Sequence, residues 1–557
     1  MKIIKDLPPI FPDNTYTAID SEWFGMNKNQ LHRPNSGHFG CLTICVEPDT
    51  VYFIQDENKV AEVLAGIDNC IWVIQEASFD IAQLRRLANI HSRKKLWDTL
   101  LIEKILWGGY YDMFGLQHLV RRYLGVKLDK TLREMFEKAE GWTDELVEYA
   151  CRDASLTLQV CNAQRKHFTN KEMKVWNIDR SALWAMLDFQ GIRLDVDKWR
   201  ALAETNRERQ KEMDAQLPIN PRSPKQVQEY LQKNGFKRLK DTGEETLQQA
   251  IRKFPDTEAS TLAQLVLKSR KFGKLASTYG LNFIEKFLED EGNEVYTIHA
   301  DYNVIGAETG RTSCNDPNMQ NIPKLKEYRE CFIARPNNKI IIFDYSAQEP
   351  GIMAYLSQDG VLINIFQSGK DIYIETAKGV FDKTITKKDP LRDSVKSLYL
   401  GMDYGMTAKG LALRENITEE EAEDRYRRFF RMFPDVYNWT AKQKKNKVAV
   451  YTVTGRKIWL NPYNTQCENN TLNAPIQGTA ADMMKKALGN MHKEWHFNYP
   501  FACVGYIHDE VIFDVPEKLV DEVKLFGQDI MVQTANEMCP GIGFKVEVIV
   551  GNTWADK

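Results

Sequence analysis

The chain has 557 residues, of which 43% are hydrophobic and 27% charged, an ordinary globular composition with enough length for roughly two to four domains. Its formal net charge of −3 excludes a globally basic nucleic-acid coat, and no run of about 18 apolar residues exists that could span a bilayer. The ten cysteines form no paired Cys-x-x-Cys array that would hold structural zinc. We therefore expect an intracellular multidomain enzyme with reduced thiols and no membrane segment.

Apolar strand-like segments alternate with helical segments in the first part of the chain. Strands are predicted at residues 43–46, 51–54 and 71–74, and helical patterns follow them. This alternation is typical of an α/β domain, which we expect to occupy residues 1–165.

Acidic residues in this first domain have the spacing of a metal-ligand group. Asp20 and Glu22 lie two residues apart on a predicted strand and so project from the same face. Asp80 follows the apolar run at residues 71–74, while Tyr149 and Asp153 share one face of a predicted helix that begins near Thr143. Each signal is weak alone, since Asp256-Thr257-Glu258 repeats the first spacing in a polar, helical region.

Taken together, these residues resemble the DnaQ-like proofreading exonucleases, which have an RNase H-like fold. The resemblance implies that Asp20, Glu22, Asp80 and Asp153 bind two Mg²⁺ or Mn²⁺ ions and that Tyr149 orients the attacking water. Glu76 departs from the family pattern, which usually has an asparagine at that position. The alternative is a decayed domain retained for packing.

Helical periodicity continues from residue 171 to 209 and leads into two basic clusters. Such an arm could follow a phosphate backbone by displacing counterions, or it could be a solvated helix face; charge alone leaves both open. The clusters are Arg207, Arg209, Lys211, Arg222, Lys225, Lys233, Lys237, Arg238 and Lys240, followed by Lys268, Arg270, Lys271 and Lys274.

Two further acids lie at the ends of apolar segments in the C-terminal half. Residues 340–343 predict a buried strand that ends in Asp344, and Asp509 lies between apolar residues at a predicted hairpin turn. A buried carboxylate needs a partner, which a metal ion could supply. A helix predicted to begin at Asp389-Pro390 carries four residues on one stripe: Arg392, Lys396, Leu400 and Tyr404.

These elements resemble the three polymerase motifs of the family A, Klenow-like DNA polymerases. The matching segments are residues 344–349, 392–405 and 508–510, and Gly310-Arg311-Thr312-Ser313, Pro317-Asn318-Met319-Gln320-Asn321-Ile322-Pro323 and Asn473-Ala474-Pro475-Ile476-Gln477-Gly478 resemble the primer-template segments. The resemblance implies two Mg²⁺ or Mn²⁺ ions on Asp344, Asp509 and the Tyr345 carbonyl. It further implies dNTP binding by Tyr345, Glu349, Arg392, Lys396, Leu400 and Tyr404, and DNA binding by Arg311, Asn318, Gln320, Asn321, Asn473, Gln477 and His508.

Two departures from the family pattern accompany this resemblance. Leu400 stands where an aromatic residue is usual, and Pro350-Gly351 replaces the usual Leu-Arg after Glu349. The first bears on sugar discrimination, and the second on an ion pair that would support Glu349. Neither removes a metal ligand.

The fold class expected from these resemblances is a multidomain α/β and α+β protein, with an RNase H-like exonuclease domain (1–165) followed by a right-hand polymerase (166–557). Its thumb is expected at about 196–295, its palm at about 296–368 and 488–557, and its fingers at about 369–487. The expected protein is a monomer that binds primer-template DNA and dNTPs and resembles compact phage-encoded members working in a bacterial cytoplasm. A single-strand-binding protein and a helicase-primase are further partners to consider.

The expected function is therefore template-directed DNA synthesis with 3′-5′ proofreading. Two alternatives remain open: a 3′-5′ exonuclease with an inactive polymerase-like half, and a non-catalytic DNA-binding subunit of a replisome. The second would be expected to have lost its carboxylates and to expose aromatic residues in a basic groove.

Overall fold

The computed structural model describes residues 1–25, 37–93, 95–128, 141–403, 405–461, 463, 467–498, 501–507 and 509–557. Strands and helices alternate near the N-terminus, helices dominate the middle, and a four-stranded sheet lies in the C-terminal half. No helix in these ranges is both long and apolar enough to cross a membrane.

A six-stranded sheet organises the N-terminal domain. Its strands are β1 (Lys2–Ile4), β2 (Tyr16–Phe24), β3 (His38–Glu47), β4 (Thr50–Ile54), β5 (Ile71–Ile74) and β6 (Leu96–Asp98). They are arranged in the order β1-β4-β3-β2-β5-β6, in which β3 runs antiparallel to β2 and β4 while the other pairs are parallel. The α/β fold and the strands expected at residues 43–46, 51–54 and 71–74 are thereby confirmed.

Five described helices accompany this sheet. Thr143 caps the longest of them, since its hydroxyl accepts a hydrogen bond from Leu146 N at 3.3 Å, as the sequence predicted. The helices are α1 (Val60–Gly66), α2 (Ala77–Leu84), α3 (Thr99–Trp107), α4 (Leu116–Leu124) and α5 (Asp144–Gln164).

The helical periodicity expected from residue 171 to 209 is interrupted by a short strand. Helix α6 (Asn170–Leu187) and helix α7 (Val196–Ala215) flank β7 (Ile192–Leu194). Gly191 precedes this strand, and a Cβ atom there would lie 2.4 Å from His299 Nε2. The prediction of continuous helix was wrong here because the chain leaves α6 and joins a sheet through a strand of three residues, which Gly191 brings close to His299.

Four helices extend the helical arm from α7. They are α8 (Pro224–Lys233), α9 (Glu244–Lys253), α10 (Glu258–Thr278) and α11 (Leu281–Phe287), and α10 packs along α7. Two of the arm's basic residues are engaged internally: Arg222 pairs with Asp214 at 2.8 Å, and Arg270 Nε donates to the Pro221 carbonyl at 2.8 Å.

Four strands form the antiparallel C-terminal sheet: β13 (Asn338–Ser346), β16 (Ala502–Ile507), β17 (Glu510–Pro516) and β18 (Lys545–Gly551). They are arranged in the order β16-β17-β13-β18, so the expected strand at residues 340–343 and the expected hairpin are confirmed. Helix α21 (Val520–Met538) packs on one face of this sheet, where Tyr345 donates a hydrogen bond to the Met531 carbonyl at 2.7 Å. The side chain of Asp344 therefore projects from the other face.

Helices and small sheets surround this central sheet. The helices are α12 (Lys326–Arg329), α13 (Gln348–Ser357), α14 (Gly360–Gln367), α15 (Ile372–Phe381), α16 (Leu391–Asp403), α17 (Ala408–Glu415), α18 (Glu419–Met432), α19 (Pro434–Gln443) and α20 (Cys467–Asn498). Two of the small sheets have two strands each: β10 (Asp301–Asn303) pairs with β11 (Ser313–Asn315), and β14 (Ala449–Tyr451) pairs with β15 (Lys457–Trp459). The third has four strands in the order β12-β7-β9-β8, where β8 is Leu288–Asp290, β9 is Tyr296–Ile298 and β12 is Phe332–Ile333.

Candidate active sites

Strand β2 presents the first pair of acids. Asp20 and Glu22 are partly exposed, whereas Ser21 between them is buried, so the two acids share one face of the strand as predicted. Helix α5 packs against this strand, and burial followed by the charge of Asp20 raises the pKa of Cys151 to about 12. The structure thus brings Asp20 close to the helix that carries Tyr149 and Asp153.

Asp80 approaches the same strand from helix α2. Its Oδ1 accepts hydrogen bonds from Ser21 N at 2.8 Å and from Ser21 Oγ at 2.6 Å. The pKa of Asp80 is raised to about 7, mainly by burial. The Ser21 hydrogen bonds oppose this rise, and the charges of Glu76 and Asp98 contribute to it. Asp80 is therefore bound to the residue between the two strand acids.

Glu76 immediately precedes helix α2 and has a left-handed backbone with φ 66°. Glutamate adopts this conformation less readily than asparagine does.

In the described part of the chain, no group of three or more Asp, Glu, His or Cys side chains is arranged to hold a metal ion.

The second pair of acids lies on the C-terminal sheet. Asp344 is near the end of β13, opposite Glu510, and Asp509 lies in the turn between β16 and β17. Burial and, after it, the nearby charge of Asp509 raise the pKa of Asp344 to about 7. Asp344 Oδ1 is buried and accepts no hydrogen bond from the described residues.

Lys557 partly balances these charges, a contact that the sequence analysis missed. Its Nζ lies 2.6 Å from Asp344 Oδ2 and 2.6 Å from Glu510 Oε1. Because 213 residues separate Lys557 from Asp344, no local pattern points to this contact. The lysine contacts Asp344 through Oδ2, so Oδ1 keeps no hydrogen-bond partner among the described residues.

A cavity of about 560 Å³ opens beside Asp344 and Asp509. Arg392 and Lys396 reach it from helix α16, as the predicted stripe requires. The Arg392 guanidinium donates a hydrogen bond to Asp371 Oδ2 at 3.1 Å and lies 4.7 Å from the Tyr373 ring centroid. Both cations therefore face the two acids across one cavity.

A second cavity, of about 400 Å³, is lined by Glu349, Leu400, Arg311 and Gln320 among others. Glu349 Oε1 lies 2.6 Å from an Arg311 guanidinium nitrogen. Burial raises the pKa of Glu349, while Arg311 lowers it. The ion pair left in doubt by Pro350-Gly351 is thus supplied by Arg311, which the sequence analysis had not paired with Glu349.

The two cavities share four lining residues, which makes them neighbouring parts of one cleft. These are Tyr345, Ala347, Tyr373 and Asp509. Ala347 has a left-handed backbone with φ 53° at the turn from β13 into helix α13. This sparsely populated conformation turns the chain from β13 into α13, and Asp344 and Glu349 on either side of it line neighbouring parts of the cleft.

The remaining predicted contact residues fall into two groups. Asn318 immediately precedes a single 3₁₀ turn (Met319–Asn321), and Gln320 and Asn321 lie in it. Gln320 donates a hydrogen bond to Thr312 at 3.3 Å. Asn473 and Gln477 lie on helix α20, where both side chains are buried. Tyr404 and His508 lie outside the described residues, so the structure gives no account of them.

Two family models match the chain. Residues 196–556 match "DNA polymerase family A", and residues 10–168 match "3'-5' exonuclease".

Several curated relatives resemble the chain over most of its length. The thermostable DNA polymerase I of Thermus aquaticus is 28% identical over 74% of this chain and 52% of its own length. DNA polymerase I of Aquifex aeolicus is 27% identical, over 90% of this chain and 91% of its own length. The chain therefore spans about half of the Thermus relative and nearly all of the Aquifex one.

A solved structure has a similar fold. It is titled the POL domain of Pol1 from M. smegmatis in complex with DNA primer-template and dNTP. The TM-score is 0.80, the sequence identity is 24%, and the match covers 97% of this chain and 95% of that one. At this identity the likeness establishes the shared fold.

Proposed function

The chain belongs to DNA polymerase family A, and we propose that it extends a DNA primer along a template with dNTPs and removes mispaired 3′ ends in its N-terminal domain. The observation that carries this proposal is the single cleft in which Asp344 and Asp509 face Arg392 and Lys396. Paired acids and facing cations are the two parts that phosphoryl transfer requires.

Divalent metal ions, which both matched families generally use, fit the acids of this cleft. The donors are hard oxygen ligands, and the buried Asp344 Oδ1 accepts no hydrogen bond within the described ranges. We assign Asp344, Asp509 and the Tyr345 carbonyl as ligands of two Mg²⁺ or Mn²⁺ ions. When bound, such ions lower the pKa of the primer hydroxyl and neutralise charge on the phosphates.

Arg392 and Lys396 would bind the triphosphate of the incoming nucleotide. Arginine offers a planar fork to phosphate oxygens, whereas lysine acts as a point charge. The Asp371 carboxylate and the Tyr373 ring hold the Arg392 guanidinium, which reduces the conformational freedom lost on binding.

The smaller cavity would hold the sugar and base. Glu349, fixed by Arg311, would crowd a ribose 2′-OH, while Leu400 would pack against the nucleotide. DNA would contact this end of the cleft through polar side chains that can read minor-groove acceptors common to all correct pairs. We propose Arg311, Asn318, Gln320, Asn321, Asn473, Gln477 and His508 for this role, and Tyr404 for the nucleotide site.

For the exonuclease we propose metal binding by Asp20, Glu22, Asp80 and Asp153, with Tyr149 orienting the attacking water. The first two acids share an accessible face, and Asp80 Oδ2 accepts no hydrogen bond from the described residues. The Ser21 hydrogen bonds on Oδ1 would fix the Asp80 carboxylate while Oδ2 turns to a metal ion.

The proposed domain division follows these assignments: an exonuclease at 1–165 and a polymerase at 166–557, with its thumb at about 196–295, palm at about 296–368 and 488–557, and fingers at about 369–487. The ligands of the solved relative, a primer-template and a dNTP, support the same ligands here. Because these ligands are intracellular, the proposed activity is as well, and we propose that a monomer carries it out.

The test is extension of a labelled primer-template by the wild-type chain, Asp509→Ala and Asp20→Ala/Glu22→Ala. We expect Asp509→Ala to lose extension and keep primer shortening, and the double variant to do the reverse. Extension that survives in Asp509→Ala would contradict the polymerase assignment. Shortening without any extension by the wild-type chain would instead favour an exonuclease with an inactive polymerase-like half.

A further inference from the structure

The cavity beside Asp344 has cations on two walls. Arg392 and Lys396 enter from helix α16, while Lys545 enters from strand β18 on the opposite wall. The sequence pattern predicts only the cations of the helix, because Lys545 lies in an ordinary alternating strand.

The register of the sheet fixes where Lys545 points. Ser346 on β13 is the direct partner of Lys545 on β18, and Asp344 is the partner of Glu547. Directly paired residues project from the same face of a sheet, and residues two apart share that face. Lys545 therefore projects from the same face of the sheet as Asp344, displaced from it by about 7 Å along the strand direction. The intervening Val546 is buried on the opposite face.

One hydrogen bond holds the Lys545 ammonium at the cavity. Nζ donates to the Gly369 carbonyl at 2.8 Å, which is its single hydrogen bond with the described residues. Gly369 lies two residues before Asp371, whose carboxylate holds Arg392 at 3.1 Å. Lys545 and Arg392 thus flank the same short loop, and an ammonium has further donors for a ligand in the cavity.

We propose that Lys545 binds the β- and γ-phosphates of the incoming dNTP and the pyrophosphate that leaves, opposite Arg392 and Lys396. This inference rests on the proposed polymerase function. During extension the primer 3′-hydroxyl loses its proton to water while its oxygen bonds to the α-phosphorus. The bond from the α-phosphorus to the oxygen that bridges the α- and β-phosphates breaks, and pyrophosphate leaves with the electron pair of that bond. A cation on the sheet wall would stabilise that charge in both directions of the reaction.

A structural role for Lys545 in holding the Gly369 loop is the competing explanation, and two variants separate the roles. Lys545→Gln keeps a hydrogen-bond donor but carries no charge, whereas Lys545→Arg keeps both. Lys339→Gln is the matched control, because Lys339 lies on β13 of the same sheet and pairs with Glu517 at 3.1 Å away from the cavity.

The experiment measures single-nucleotide extension and its reversal by added pyrophosphate. Loss of one charge-assisted hydrogen bond predicts that Lys545→Gln raises the KM for dNTP about tenfold and slows pyrophosphorolysis by a similar factor. Lys545→Arg and Lys339→Gln should stay within about threefold of wild type, and primer shortening should be unchanged in all three.

A KM and a pyrophosphorolysis rate within twofold of wild type in Lys545→Gln would overturn the proposal. Equal defects in Lys545→Arg and Lys545→Gln would also overturn it, because the effect would not follow charge. Absence of extension by the wild-type chain would instead reject the polymerase function, so the two failures are distinguishable.

Discussion

Among the residues that the structure describes, one partner of opposite charge holds Glu349 at the cleft. The Arg311 guanidinium lies 2.6 Å from Glu349 Oε1, and the Glu349 side chain is 18% exposed. The carboxylate therefore occupies a fixed position beside Leu400 in the smaller cavity.

We expect Glu349→Ala to admit ribonucleotides. Crowding and desolvation of a 2′-OH next to a fixed carboxylate cost about 3 kcal/mol, so removal should raise the relative kcat/KM for ribonucleotides on the order of 100-fold. The measurement compares incorporation of rATP and dATP opposite template thymine. Glu330→Ala, which removes a glutamate paired with Lys198 outside the cleft, should leave the ratio at the wild-type value. An unchanged ratio in Glu349→Ala would contradict the proposed role.

The raised pKa of Asp344 predicts how the metal requirement depends on pH. Burial and the Asp509 charge raise this pKa to about 7, and only the deprotonated carboxylate binds a metal ion. The Mg²⁺ concentration for half-maximal extension should therefore fall about tenfold between pH 6 and pH 8, measured in the Asp20→Ala/Glu22→Ala background. Equal half-maximal concentrations at the two pH values would show that the acid is already ionised at pH 6.

The raised pKa of Asp344 also makes the stability of the metal-free protein depend on pH, and this stability falls as the pH rises. Between pH 3.8, the ordinary pKa of the carboxyl, and about 7, the folded chain keeps a proton that the unfolded chain has lost. Raising the pH through this window therefore lowers the free energy of unfolding of the metal-free protein.

At the scale of elements, helix α13 fits the C-terminal sheet only because of Gly351. A Cβ at this position would lie 2.5 Å from Cε1 of the buried Phe544 ring, just before β18. Glycine therefore lets α13, which carries Glu349, pack close to the strand that carries Lys545.

Gly351→Ala should destabilise the protein by about 1 to 3 kcal/mol, because the ring or the helix must move. The measurement is the midpoint of denaturant unfolding. Gly360→Ala is the control: Gly360 begins helix α14, a Cβ there meets nothing within 4 Å, and alanine favours a helix. Equal stability of Gly351→Ala and the wild type would mean that Phe544 relaxes without cost.

Sequence patterns predicted these elements where the pattern itself is local. The apolar run at residues 340–343 and the alternation around the turn at Asp509 predicted β13 and the hairpin, and Thr143 marked the start of α5. Contacts between distant residues left no such pattern: the Lys557 pair with Asp344, the Arg311 pair with Glu349 and the Ser21 bonds to Asp80 all depend on tertiary packing. Strand β7 was missed because three residues are too few to show a period.

For the molecule as a whole, a buried ionic cluster ties the segment between the two matched regions to the cleft. Asp179 on α6 accepts hydrogen bonds from Arg456 at 2.8 Å, and Lys485 on α20 donates to the Gly310 carbonyl at 2.9 Å. Burial alone would raise the pKa of Asp482, but Arg456 and Lys485 lower it below its ordinary value. Paired charges of this kind hold Gly310, and with it the neighbouring Arg311, beside Glu349.

Trp459 completes the junction between the N-terminal domain and the rest of the chain. Its ring lies 5.5 Å from that of Trp107 at an interplanar angle of 13°, and its Nε1 donates to the Leu106 carbonyl at 2.8 Å. Its backbone N also donates to the Gly108 carbonyl at 2.9 Å. The end of helix α3 is therefore bound to strand β15 by both stacking and hydrogen bonds.

We expect Trp459→Ala to uncouple the unfolding of the two parts. The lost stacking and the lost indole hydrogen bond together remove about 2 to 4 kcal/mol from the junction, so the N-terminal domain should unfold at a lower temperature than the remainder. We expect differential scanning calorimetry to resolve one transition for the wild-type chain and two for Trp459→Ala. The control is Tyr463→Ala, which alters a side chain that is 94% exposed and should retain the wild-type trace. A single unshifted transition in Trp459→Ala would mean that the contacts between α3 and β15 do not decide how the unfolding of the two parts is coupled.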